Sequence, residues 1–305
     1  MTIIKTNNIT KSYNDKKVVK DISLEVKEQE IFGFLGRNGA GKSTFINMIT
    51  GIILPTSGTF ELLGETDLNV VKKKIGVLPD YSTFYDSLSA LDHLKFYSKI
   101  QGVKPSKEYL METLDLVGLT GNEKQKVGKF SFGMKKKLGI AQAIVNKPEL
   151  LFLDEPTSGV DAESAIQIKQ LIKKLNEEGR TIFMTSHNLN EVEEICSQIA
   201  IMSDGEIRSE GTLREIKSNY TTSLLAKVKV QPIIKQPVQK EISTFLETNF
   251  SKFRWDSNYL TVEIGNENEI PVILRTLMQS KVDIFEVKVI EPSLEEVFLE
   301  KKIAI

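Results

Sequence analysis

Apolar and polar positions change their spacing along this chain, and each change marks a different element. "TIIKTNNITKSY" and "DISLEVKEQEIFGFLG" alternate apolar with polar residues or run apolar with β-branched side chains. With the polar turns that divide them they predict strands over the first ~35 residues. "IFGFLG" is a short apolar run entering a glycine-rich loop, as a buried strand would. A helix is predicted from about Lys42 to Thr50, closed by Gly51 and by Pro55-Thr56-Ser57-Gly58. Strand-like pieces follow around "TFELLG" and "IGVLP".

From about Ala90 to Ala143 the spacing turns helical. Leu91, Leu94 and Tyr97 share a face behind the capping pair Ser89 and Asp92, and "SKEYLMETLDLVGLTG" is capped by Ser106 and ended by glycine. A third helix puts Met134, Leu138, Ala141 and Val145 on one face. After it, "ELLFLDEP", "TIFMTSH" and "QIAIMSDGEI" read as short apolar strands separated by helices such as "AESAIQIKQLIKKLNEEG". That alternation predicts an α/β fold, a mainly parallel sheet with helices packed on it. Near Ser218 the character changes to strand, helix (about Val238 to Phe250), two strands, helix (about Ile270 to Ser280) and strand, a βαββαβ order. A last helix, "SLEEVFLEKK", follows Pro292 with a capping box of Ser293 and Glu296. Two units are expected, 1–218 with a helical subdomain at about 85–145, and 219–305 as a small α+β domain.

Composition narrows the class. With 305 residues, 40% hydrophobic and 27% charged, the balance is that of a soluble globular chain. The net charge of -1 gives no bulk electrostatic reason to expect nucleic acid. A lone cysteine, Cys196, excludes an intrachain disulfide, and no Cys/His cluster has zinc spacing. Histidine chemistry is confined to His93 and His187. The N-terminus is too polar for a signal peptide, and no stretch approaches the ~20 apolar residues of a spanning helix. The expectation is a cytosolic chain that reaches a membrane through a partner.

"GRNGAGKS", Gly36 to Ser43, fits G-x-x-x-x-G-K-[ST], with a buried strand before it and a helix after it. Gly36, Arg37, Asn38, Gly39, Ala40 and Gly41 would wrap a phosphate. The amides of Gly39 to Thr44 would point inward, and the helix N-terminus would add positive potential. Lys42 would reach the β- and γ-phosphates and the Ser43 hydroxyl would ligate Mg²⁺. "ELLFLDEP" brings two carboxylates to the end of a buried strand: Asp154 to hold Mg²⁺, and Glu155, facing the other side, to polarise an attacking water as general base. A strand ending in a solvated Asp-Glu pair is common; the phosphate loop makes the chemical reading the better one. His187 ends the next apolar strand, and parallel strands present their C-terminal ends to one crevice. His93, on an amphipathic helix distant from any motif, reads as structural.

Together these residues resemble the ATPase subunits of ABC transporters over residues 1–218. Tyr13 in "KSY" matches the aromatic that stacks on adenine. The phosphate loop follows, then "IGVLPD" at the Q-loop, "FSFGM" at the signature, "LLFLDEP" as Walker B, "SGVD" as the D-loop and His187 as the switch histidine. The resemblance implies a P-loop NTPase fold, ATP and Mg²⁺ as ligands, and a dimer with ATP sandwiched head to tail. In that dimer Ser131 and Gly133 act on the γ-phosphate held by the other subunit. A homodimer is expected, a heterodimer being the alternative. It also implies an integral membrane permease on a separate chain, a peripheral place on the cytoplasmic face of the membrane, and no nucleic-acid partner.

Two departures stand out. Phe132 replaces a signature glycine; its ring must find space, and a phenylalanine disfavours the positive φ that a glycine takes readily. Asp80 stands where the Q-loop carries glutamine; it is shorter and charged, and would face Mg²⁺. The tail "EPSLEEVFL" resembles ATPase subunits of ABC-2 exporters, including antibiotic self-resistance and bacteriocin-immunity systems. Weighed against this exporter reading are a soluble ABC-type ATPase acting on ribosomes or DNA, and a P-loop kinase. The first would carry a second cassette or a long coiled-coil insertion, and the second has no reason to carry the signature and the switch histidine.

Overall fold

The computed structural model describes residues 1–220, 224–232 and 234–290. The predicted terminal helix with Ser293 and Glu296, and all of the "EPSLEEVFL" stretch, lie outside the described residues. The chain divides into two compact units, Met1–Leu213 and Arg214–Ile305.

The first unit runs β1 (Thr2–Tyr13), β2 (Lys16–Lys27), β3 (Ile31–Leu35), α1 (Lys42–Ile49), β4 (Ser57–Leu62), α2 (Leu68–Val71) and β5 (Ile75–Leu78). The helices α3 (Ala90–Ile100), α4 (Lys107–Leu116) and α5 (Phe132–Ile144) come next. Then β6 (Leu150–Asp154), α6 (Ala162–Glu177), β7 (Thr181–Ser186), α7 (Leu189–Ile195), β8 (Gln198–Ser203) and β9 (Glu206–Gly211) follow. An antiparallel sheet has the order β2-β1-β4, and a larger sheet the order β5-β6-β7-β3-β8-β9. Within the larger sheet every pairing is parallel except β8 with β9. The sequence reads "QIAIMSDGEI" as one strand. It is a hairpin, because Asp204 and Gly205 both take positive φ (52° and 84°), the backbone of a tight two-residue turn.

Every residue of β3, β6 and β7 is buried, which is why these strands read as unbroken apolar runs. Alternate side chains face two cores. Ile31, Leu151, Leu153, Ile182 and Met184 join the helices α3 to α7 on one face. Phe32, Phe34, Phe152 and Phe183 join α1 and the antiparallel sheet on the other, with Phe32 stacked on Phe183 at 5.5 Å between ring centroids. The strand register does the positioning: Leu35 lies opposite Ser186 and Asp154 opposite Thr185. The loop after β3, the carboxylates ending β6 and the histidine after β7 therefore emerge along one sheet edge.

His93, on α3, is fully buried and packs against Tyr97 and Phe84 at 4.8 and 5.2 Å between ring centroids. Burial lowers its pKa below the usual 6.5, and the nearby Gln142 amide, joined to the ring by no formed hydrogen bond, offsets this only in part. Between the folded and unfolded pKa values the unfolded chain binds the extra proton. The stability from the neutral ring is therefore complete above about pH 6.5 and is lost as pH falls through the folded pKa. Unfolding free energy, measured by urea titration from about pH 7 to pH 5, is expected to decline by up to about 1.4 kcal/mol per pH unit from this group. His93→Phe, which keeps the aromatic packing, should remove that component; an unchanged slope in the variant places the pH dependence elsewhere.

The second unit continues from α8 (Leu213–Tyr220), which spans the division, into β10 (Leu224–Val230), α9 (Gln236–Asn249), β11 (Phe253–Asp256) and β12 (Tyr259–Ile264). It closes, among the described residues, with α10 (Ile270–Gln279) and β13 (Ile284–Ile290). The sheet is antiparallel with the order β11-β12-β10-β13. This is the predicted βαββαβ order wound as a ferredoxin-like split βαβ. Val228, Leu260 and Val262 form its core with Ile242, Leu246, Ile273 and Leu277 of the two helices. The helix α9 starts ahead of the predicted Val238 because Pro237 sits in its first turn, where a missing N–H costs nothing.

Candidate functional site

The loop between β3 and α1 is shaped by two glycines. Gly41, the residue before α1, has φ 110°, and a Cβ there would lie 2.7 Å from the Val18 carbonyl oxygen. Gly39 has φ 84°, and a Cβ there would meet nothing within 4 Å. The helix α1 carries no side-chain cap and no acidic residue in its first turn, so its N-terminal amides and dipole are suited to an anion. A cleft of about 500 Å³ opens here, lined by Arg37, Asn38, Gly39, Gly41, Lys42, Ser43 and Thr44. Asp80, Tyr81, Phe132, Glu155, Ser158, Gly159 and His187 line it as well. Gly36 and Ala40 are buried beneath the loop. Tyr13 is not part of this lining; it is half exposed at the end of β1, with the Lys11 ammonium 5.2 Å from its ring centroid. Val18, which belongs to no motif, does line the cleft.

Three residues from separate motifs meet at one carboxylate. Lys42, 6% exposed, donates to the Gly36 carbonyl at 2.7 Å and lies 3.2 Å from Glu155 Oε1. That oxygen is buried without a hydrogen bond, so its contact with the ammonium is one of charge. The other oxygen, Oε2, is 2.7 Å from His187 Nδ1. Glu155 itself sits at φ 50°, a left-handed backbone that costs a non-glycine residue about 1 kcal/mol or more. Its N–H donates to Thr185 Oγ1 at 2.9 Å, and the Thr185 hydroxyl in turn donates to Asp154 Oδ1 at 2.5 Å. Sequence reasoning passed over Thr185; the signal was a hydroxyl next to the end of an otherwise apolar strand.

Two further buried groups escaped the sequence. Glu191, on α7, accepts from Thr157 Oγ1 at 2.6 Å and Ser186 Oγ at 2.8 Å, pinning the turn after Glu155 to the end of β7. Burial pushes its carboxyl above the usual range. Lys136, on α5, is 5% exposed. Its ammonium donates to the carbonyls of Asp80 (3.0 Å) and Glu155 (2.9 Å) and lies 3.6 Å from Asp80 Oδ1. Burial lowers its pKa, with Asp80 opposing. The Asp80 carboxylate, expected to face a metal, is thus turned onto a lysine.

At the start of α5, Ser131 is the N-cap, its hydroxyl accepting from the Met134 N–H at 3.2 Å. Phe132 is the first helical residue and needs no positive φ, so the strain expected of a side chain there does not arise. Its ring finds room in the open: Lys136 Nζ lies 5.9 Å from its centroid, and a Cβ on Gly159 would come within 3.0 Å of the ring. Gly133 is buried, and a Cβ there would lie 2.4 Å from Ser164 Oγ. Packing of α5 on the start of α6 therefore already requires this glycine.

Among the described residues no group of three or more His, Cys, Asp or Glu is placed to hold a metal ion. The donor set instead fits Mg²⁺ carried with phosphate, since that ion takes one or two protein oxygens and fills its octahedron with phosphate and water. Asp154, at the end of β6, and the Ser43 hydroxyl, in the cleft, are such donors.

Residues 19–158 match the family model described as ABC transporter. Residues 211–302 match that of the C-terminal domain of DrrA1-3-like ATP-binding proteins. The linearmycin resistance ATP-binding protein LnrL of Bacillus subtilis (strain 168) is 34% identical, over 97% of each chain. The bacitracin transport ATP-binding protein BcrA of Bacillus licheniformis is 43% identical over 68% of this chain and 69% of its own. Among solved structures, the ATP-binding cassette MJ0796 in a dimeric post-hydrolysis state with ADP and Pi superposes with a TM-score of 0.63 at 27% identity. That match covers 70% of this chain and 99% of MJ0796.

Proposed function

The chain belongs to the ABC transporter ATP-binding family, as an ATPase, and from that membership we propose that it powers a membrane exporter through a separate permease. The observation that carries this reading is the Glu155 carboxylate held between Lys42 and His187 at the edge of a phosphate cradle. The names of the two Bacillus relatives, transport of one antibiotic and resistance to another, favour export.

In this reading Tyr13 stacks on adenine, and Lys42 with the amides from Gly36 to Thr44 holds the phosphates. Ser43 and Asp154 hold Mg²⁺, with Asp80 as a further oxygen ligand once it leaves Lys136; the ion would neutralise charge building on the phosphates. Glu155 takes the proton from the attacking water, and His187 orients that carboxylate and reads the γ-phosphate. Ser131, with the amides of Phe132 and Gly133 at the first turn of α5, which carries no acidic residue, completes the site of a second copy across a homodimer. Closure on ATP and opening after hydrolysis would then drive the permease. No helix among the described residues is long and apolar enough to cross a membrane. The reading places the chain peripherally on the cytoplasmic face of the membrane, bound to a permease that forms the pathway.

Affinity capture of a tagged Glu155→Gln chain from detergent-solubilised membranes of its own cell, with ATP present, tests this. A polytopic membrane protein should be recovered in stoichiometric amount. Recovery of soluble protein or ribosomes alone would overturn the transporter assignment.

A further inference from the structure

Glu155 is asked to do two things that conflict. Its carboxylate must be fixed to within a few tenths of an ångström of where a base is useful, yet its backbone adopts φ 50°, a conformation a non-glycine residue leaves unless its neighbours hold it. Both peptide groups flanking its Cα are held. The amide is taken by Thr185 Oγ1. The carbonyl accepts from the Ser158 N–H at 3.2 Å within the local turn, and from Lys136 Nζ at 2.9 Å. The ammonium is the shorter and the charged of the two donors, and charge-assisted bonds are roughly twice as strong as neutral ones. It reaches this carbonyl from another element, nineteen residues earlier in the chain.

We infer that Lys136 is a positioning residue for hydrolysis: from α5 it locks the Glu155 peptide in the left-handed conformation that aims the carboxylate between Lys42 and His187. This rests on the ATPase reading of the site and adds to it a residue outside the motifs. The rest of the Lys136 environment fits the role. The ammonium is buried and spends its donors on two main-chain carbonyls, with the Asp80 carboxylate as counter-charge at 3.6 Å. A lysine serving only as a surface charge or a solubilising group would keep its head in water. The same ammonium also joins the turn after β5 to the turn after β6, so displacement of the Asp80 carbonyl would be felt at Glu155 through one side chain.

The test compares the full chain with Lys136→Met, which keeps length and burial, and with Lys136→Arg, which keeps charge and donors. Each is assayed for ATP affinity and for single-turnover hydrolysis. Lys136→Met is expected to hydrolyse about 10- to 100-fold more slowly, the cost of a misplaced reacting group, with ATP affinity within about threefold. Lys136→Arg should restore most of the rate. Introduced into Glu155→Gln, Lys136→Met should cause no further loss of rate, because a residue acting through a carboxylate has nothing left to act on. A crystal structure of Lys136→Met should show Glu155 outside the left-handed region.

Full hydrolysis in Lys136→Met, an equal further loss in the Glu155→Gln background, or Glu155 still at positive φ would each overturn the inference while leaving the ATPase reading intact. A wild-type chain that binds and hydrolyses no ATP would overturn the ATPase reading instead, and the φ of Glu155 in Lys136→Met would still decide the structural claim.

Discussion

Glu155→Gln is expected to cut ATP hydrolysis by roughly a thousandfold while leaving ATP affinity within a few-fold of the parent, since a positioned general base contributes about 10² to 10⁴ in rate. The substitution isolates chemistry from architecture. The peptide of Glu155 is held through its N–H by Thr185 and through its carbonyl by Lys136, and neither contact involves the side chain that changes. Glutamine has the same shape, so the cleft keeps its lining, and Lys42 keeps the Gly36 carbonyl. What is lost is the proposed proton acceptor. Neutralising Glu155 also frees Lys42 from a competing carboxylate at 3.2 Å, so affinity should hold or rise slightly. Equilibrium ATP binding and single-turnover hydrolysis check the two halves, and light scattering should find an ATP-dependent dimer that persists. Retained turnover in Glu155→Gln would move the base to another group, His187 being the one already in contact.

Much of this site was legible in the sequence, for a physical reason. The phosphate loop, the Asp154-Glu155 pair and His187 are each set by short local rules, and their meeting follows from parallel strands whose ends lie in register. The fully buried strands were legible as unbroken apolar runs. Long-range partners were not. Thr185 bonds Asp154 across 31 positions and Lys136 bonds the Asp80 carbonyl across 56. A lysine within "MKKK" carries no mark that one ammonium is buried and its predecessor is not. Asp80 shows the same limit: its residue type carries no mark of the Lys136 ammonium that lies 3.6 Å from its carboxylate. Phe132 misled in another way, through the assumption that a glycine position is a positive-φ position. The helix begins there, and only its neighbour Gly133 is tied to close packing.

Lys42→Met should be the more damaging change for binding, and its effect on stability should separate two roles of one ammonium. In the proposed site Lys42 is the cation that holds the phosphates, and its loss is expected to weaken ATP binding by about a hundredfold or more, in line with a charged hydrogen bond worth roughly 1.5 to 3 kcal/mol and the site charge that goes with it. In the free protein it is the buried counter-charge of Glu155, the two side chains being 6% and 9% exposed. Removing one member of a buried pair leaves the other uncompensated, a penalty of about 3 to 5 kcal/mol where no other cation answers it. The contact of Oε2 with His187 Nδ1 at 2.7 Å remains in the variant, so the loss should fall toward the lower end of that range. The double variant Lys42→Met/Glu155→Gln removes both charges and should regain much of the stability while regaining none of the affinity. Urea unfolding of the two single variants and the double, alongside ATP titrations of each, gives both cycles. If the double variant is as unstable as Lys42→Met alone, the Gly36 carbonyl left without its donor is the cause, and the ion pair with Glu155 contributes little to the fold.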